Sequence, residues 1–145
     1  MKIELQVTSP DTSNVLKCMG VTLKSDYLWW FQPGNKKNKL IEANKIFSGA
    51  KNMTHAYTIA ELGNMIPWGF FQSSPVHKLP GGIWMFTDMA AQVHHYAYEV
   101  EARAHYLVDL IYSKKISVDE VNYPEKYNQP VKAIPQKKKV KKALL

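Results

Sequence analysis

Val100-Glu101-Ala102-Arg103-Ala104-His105-Tyr106-Leu107-Val108-Asp109-Leu110-Ile111 is the stretch that decides how this chain is built. Val100, Ala104, Leu107, Val108 and Ile111 recur at i, i+4, i+7, i+8 and i+11, which sets one apolar stripe along an α-helix. Glu101, His105 and Asp109 fall on the opposite side and read as a solvated face. Such a stripe needs a second layer to bury it. The preceding residues supply one, because Ile83-Trp84-Met85-Phe86 and Val93 to Val100 are β-prone runs separated by Thr87-Asp88-Met89-Ala90. The pattern predicts an antiparallel hairpin over 83–86 and 93–100. A helix over 101–113 then lays Ala104, Leu107, Val108 and Ile111 on that hairpin.

Working towards the N-terminus, Thr58 and Glu61 have capping-box spacing ahead of Ile59, Leu62 and Ile66, so a helix is expected there, ending at Pro67. Pro67 to Phe71 reads as extended, and Pro75, Pro80, Gly81 and Gly82 as punctuation of a loop. Tyr27-Leu28-Trp29-Trp30-Phe31 and Leu40-Ile41 flank the turn-rich segment Gln32-Pro33-Gly34-Asn35-Lys36-Lys37-Asn38, which predicts a second hairpin with a basic tip. Asp11, Thr12 and Ser13 are N-cap residues for a two-turn helix carrying Val15, Leu16, Cys18 and Met19 and closed by Gly20. Ile3, Leu5 and Val7 alternate with polar residues as a short edge strand that stops at Ser9-Pro10. The expected fold is α+β: a small antiparallel sheet of two hairpins with two or three helices on one face.

The 145 residues are 46% hydrophobic, enough for one domain and too few for two. Mean hydropathy is -0.32, and no apolar run approaches the length of a membrane helix. The net charge of +7 is unevenly spread. Lys132, Lys137, Lys138, Lys139, Lys141 and Lys142 account for almost all of it, leaving residues 1–131 with thirteen cationic side chains against twelve carboxylates. Pro124, Pro130 and Pro135 lead into the lysine run, so the expected division is a domain over 1–116 and a flexible Pro/Lys-rich tail over 117–145. Those six lysines are the candidate nucleic-acid contacts, acting on phosphates without reading bases.

One cysteine, Cys18, excludes an internal disulfide and a thiolate zinc cluster, and its apolar neighbours place it in a core. His94 and His95 are adjacent on a strand and so point to opposite faces, which leaves no closed ligand set; no metal and no cofactor are expected. No catalytic motif is present, and an enzyme is not expected. Tyr27, Trp29 and Phe31 share one strand face, where aromatic rings either build a core or offer a surface to a small ligand, a partner protein or a second copy of the chain.

Ala60-Glu61-Leu62-Gly63-Asn64-Met65-Ile66-Pro67-Trp68-Gly69-Phe70, with Glu101-Ala102-Arg103-Ala104 and the helix that follows, resembles a group of small uncharacterised proteins of phages, prophages and mobile elements of Bacteroidetes. The resemblance spans roughly residues 15–115 and carries over no catalytic or binding residue. It implies a bacterial or phage cytoplasmic setting, and the expected role is that of a non-enzymatic accessory protein making weak, sequence-independent contact with nucleic acid through the lysine run.

Overall fold

The computed structural model describes residues 1–34, 37–46, 51–72 and 74–127. The six tail lysines lie outside them. A 3₁₀ turn, Ile3–Leu5, leads into helix α1, Pro10–Cys18. Strands β1, Tyr27–Trp30, β2, Lys39–Glu42, and β3, Met53–Ala56, are followed by helices α2, Ile59–Met65, and α3, Trp68–Gln72. Strands β4, His77–Lys78, β5, Trp84–Thr87, and β6, Val93–Tyr96, precede helix α4, Glu99–Tyr112. Two short helices, α5, Val118–Asn122, and α6, Pro124–Tyr127, complete the order.

The fold is α+β, and each expected hairpin forms the core of its own three-stranded antiparallel sheet, ordered β2-β1-β3 and β4-β5-β6. Register is direct in both, with Trp29 opposite Leu40 and Thr54, and Phe86 opposite His94. Helix α4 is more central than a one-striped helix would be. Val100, Ala104 and Leu107 are buried as expected, and so are Ala102, Tyr106 and Leu110 on adjoining sides. It packs against α1 and α2 as well as β5 and β6, and Ala102 and Ala104 are small enough to allow close approach.

Several local expectations change for identifiable reasons. Ile3–Leu5 is a turn and not a strand; only Val7 pairs, in an isolated bridge with Thr58. A turn puts Ile3 and Val7 on the core side and leaves Leu5 exposed, which strict alternation would not do. Ser9 caps α1 by accepting from the Thr12 N–H at 3.2 Å, with Pro10 next to it in the first turn, so the cap lies earlier than Asp11. The buried side of α1 is therefore Thr12, Ser13 and Leu16, while Val15 and Cys18 are exposed. Pro67 ends α2 as expected, yet its fixed φ also suits the first turn of α3, so 68–72 is helical where an extended path was expected. Tyr98 has the extended backbone of an N-cap, which shortens β6 to residue 96 and starts α4 at Glu99. Beyond residue 116, where the sequence pattern fades, Val121 is fully buried, and Asn122 donates to the Gly20 carbonyl and accepts from the Thr22 N–H. Residues 117–127 thus pack on the body. Gly20 allows this twice over, through its φ of +96° and because an added Cβ would stand 3.3 Å from Val118.

Two hydrophobic clusters result. The larger holds Leu16, Tyr57, Leu62, Met65, Phe86, Leu107, Leu110 and Val121 among others; the smaller holds Val7, Trp29 and Ala56. Thr8, fully buried, stands between them. Its N–H donates to the Tyr57 carbonyl at 2.9 Å and its hydroxyl accepts from the Tyr57 N–H at 3.0 Å. Its carbonyl accepts from Trp29 Nε1 at 2.7 Å, and its hydroxyl meets the Ser13 hydroxyl at 2.7 Å. Thr8→Val keeps the shape and leaves the buried Tyr57 N–H without its acceptor, while Ser13 Oγ keeps only its longer bond to the Thr8 carbonyl, so it is expected to cost about 1–3 kcal/mol in urea unfolding. A loss below about 1 kcal/mol would contradict this role.

Candidate functional site

Gln6 donates from Nε2 to the Met1 carbonyl at 2.7 Å, and the Val7–Thr58 bridge fixes the N-terminal turn beside the start of α2. The turn and α2 form one wall of a groove, with Met1, Leu5, Thr58, Ile59 and Ala60. The opposite wall comes from the second sheet and its exit into α4: Lys78 and Trp84, directly paired across β4 and β5, then Tyr98 and Val100. The cavity between the walls is about 620 Å³. Leu5, Ile59 and Tyr98 are each 37% exposed, so the walls present apolar carbon to solvent at the mouth, while Val100 is buried at the base. Glu99 also lines the groove, but Arg103 holds it at 3.0 Å. Among the described residues no carboxylate pairs with the Lys78 ammonium.

Beside the groove, two histidine–carboxylate pairs stand at opposite ends of a run of rings. His94 stacks on Phe86 at 5.3 Å between centroids, Phe86 on Tyr96 at 6.1 Å, and Tyr96 on His105 at 5.0 Å. Asp88 lies 2.7 Å from His94 Nε2 and also accepts the Ala90 and Gln92 N–H groups, so it closes the β5–β6 turn. The hydrogen bonds from His94 and from the Gln92 backbone hold its carboxyl below the ordinary carboxylate value. Glu101 accepts from the Ser9 N–H at 2.6 Å and from the Thr12 hydroxyl at 2.5 Å, tying α4 to the N-terminus of α1. His105 Nε2 is 3.3 Å from the Thr12 oxygen and 3.8 Å from Glu101. The solvated face expected for Glu101, His105 and Asp109 is instead bonded: Asp109 accepts the Met89 N–H.

Tyr27, Trp29 and Phe31 do share one strand face, and that face belongs to the smaller hydrophobic cluster. Ile3 and Val7 pack there too, Trp29 is 6% exposed, and its indole N–H is held by Thr8. Trp29 is a core residue, and Tyr27 and Phe31 are half-buried beside it. His94 and His95 point to opposite faces as alternation requires, and among the described residues no three of His, Cys, Asp and Glu gather in a way that could hold a metal ion. The groove residues escaped the sequence reading because they meet only once Ile3–Leu5 turns and β4 pairs with β5.

The chain matches no protein-family model, no characterised protein and no solved structure.

Burial lowers the pKa of both His55 and His105 from the ordinary 6.5, outweighing the pull of Glu61 on the first and Glu101 on the second. His55 Nδ1 also accepts the Ser25 N–H at 3.2 Å, which requires the neutral ring. A lowered histidine pKa means that the unfolded chain binds more protons just below pH 6.5, so stability falls as pH drops through that value. The unfolding midpoint is expected to decline from pH 7.5 to 5.5, and His55→Gln with His105→Gln to flatten that slope. An unchanged slope would contradict the assignment. Asp88 acts in a different window, since its contribution is present above its ordinary 3.8 and lost in more acidic solution.

Proposed function

We propose that this chain is a non-enzymatic binding protein whose groove takes a small amphipathic molecule with an apolar body and one anionic group. The observation that carries this reading is the groove itself: its volume lies within the range of small-molecule sites, and its walls are mostly apolar with few polar groups. The apolar body would lie along Leu5, Ile59, Trp84 and Tyr98. The anionic end would meet Lys78, whose charge has no partner among the described residues. A binding role rather than catalysis is supported by how the two histidine–carboxylate pairs are used. The Thr12 hydroxyl donates to Glu101 rather than to His105 and is buried, so it is not an activated nucleophile. Asp88 is occupied in holding its turn. The resemblance of residues 15–115 to phage and mobile-element proteins supports a cytoplasmic accessory setting. No helix among the described residues is long and apolar enough to cross a membrane.

The probe is 8-anilinonaphthalene-1-sulfonate, an aromatic anion whose emission rises in apolar surroundings. One equivalent is expected to bind with energy transfer from tryptophan. Lys78→Glu and Ile59→Glu, both at exposed positions, should each weaken binding at least tenfold without lowering stability. Binding that both substitutions leave unchanged would reject the groove.

A second reading rests on charge segregation, since six lysines crowd positions 132–142 of a chain otherwise near neutrality. Such a segment gives weak, sequence-independent contact with nucleic-acid phosphates. The expected outcome is a steep loss of duplex DNA binding with salt, of up to about 0.9 log units per log unit of salt for each phosphate neutralised. Truncation after Val131 should remove most of both the binding and the slope. Equal binding by the truncated chain would reject this reading.

A further inference from the structure

The second sheet carries a row of three side chains that neither the groove nor the ring array uses. Met85 of β5 is directly opposite His77 of β4 on one side and His95 of β6 on the other. Residues directly opposite in an antiparallel sheet project from the same face, so the two imidazoles flank the thioether in one line. The neighbouring row, Lys78, Trp84 and Tyr96, projects from the other face, where Trp84 and Tyr96 pack against the larger hydrophobic cluster. His77–Met85–His95 is therefore on the outer face, with both histidines exposed and Met85 half-buried. Adjacent strands lie about 4.8 Å apart, so each imidazole has one strand spacing to cross to reach a point above the sulfur.

His77 is set up for that role. Its Nδ1 lies 2.9 Å from the Pro75 carbonyl oxygen. A carbonyl only accepts, so Nδ1 carries the proton and Nε2 keeps its lone pair, the arrangement by which a backbone carbonyl orients a metal-ligating histidine. The donor set is two imidazoles and a thioether, and Ile83, Thr87 and Val93, which alternation puts on the same face, add no carboxylate. Hard cations need oxygen ligands and find none in this row, whereas thioethers select soft ions.

We propose that His77, Met85 and His95 form a surface site for a soft monovalent cation, Cu(I), which Ag(I) mimics. The ion keeps its single charge, so no electron is transferred, and a proton held on a ligating ring nitrogen leaves to solvent as the ion binds. The site is independent of the groove and of the basic segment.

The test uses the full chain carrying Cys18→Ser, because the exposed Cys18 thiol would otherwise compete for either ion. In an Ag(I) titration followed by proton–carbon NMR, the chain has six methionine methyls to report. The Met85 methyl is expected to shift first, together with the His77 and His95 ring signals, and to saturate at one equivalent. In competition against the Cu(I) chelator bicinchoninate, Met85→Leu, His77→Gln and His95→Gln should each weaken Cu(I) at least tenfold. A different methionine responding first, or a weakening below tenfold in any of the three, overturns the proposal. The NMR arm needs no substitution within the row, so a variant that fails to fold does not leave the question open.

Discussion

Thr8 is the point at which this small protein becomes one body. The chain has two sheets and two hydrophobic clusters, and three strands are the lower limit at which a sheet is stable by itself. Thr8 joins the two clusters by the ordinary rule that buried polar atoms must be partnered. Its backbone and hydroxyl meet Tyr57 from the larger cluster, Trp29 from the smaller and Ser13 from α1, so that four segments share one residue's hydrogen-bonding capacity. Glu61 does the same at the next corner, where its carboxylate accepts from Ser25 Oγ, Asp26 N–H and Thr58 N–H. Glu101 ties α4 to α1 in the same way. Among the described residues no buried side-chain nitrogen or oxygen lacks a partner.

The groove follows from that joint. Holding Thr8 against Tyr57 brings Val7 beside Thr58, and the turn before Val7 can then only lie over the start of α2. Leu5 is left facing the second sheet across a gap that no side chain fills. The same constraint explains why Trp29, at the centre of the aromatic face of β1, is buried: Ile3 and Val7, delivered by the N-terminal segment, pack there. Fold and candidate site are thus two results of where residues 3–8 are placed.

Local periodicity revealed the parts whose partners are close in sequence. The apolar stripe of α4, the Thr58–Glu61 capping box, the turn at Asp88 and both hairpins were legible because each is decided within sixteen residues. What was not legible depends on distant partners. β3 is a four-residue strand without a strong pattern and exists because β1 offers it an edge. α5 looked like the start of an arm because its single buried residue, Val121, has no local periodic companions. Glu101 and His105 looked solvated because nothing in their own helix announces Ser9 and Thr12, some ninety residues earlier. The groove combines a misread turn with a two-residue strand, and so was invisible for both reasons.

Native-state hydrogen exchange across a denaturant series addresses the joint most directly. If the buried hydrogen bonds of Thr8 couple the two clusters, the slowest amides of the β1 ladder and of the β5 ladder must open with the same free energy and the same denaturant dependence, equal to those of global unfolding. Two separate opening free energies, with one sheet exchanging while the other stays protected, would contradict the claim that this residue makes the chain a single cooperative unit.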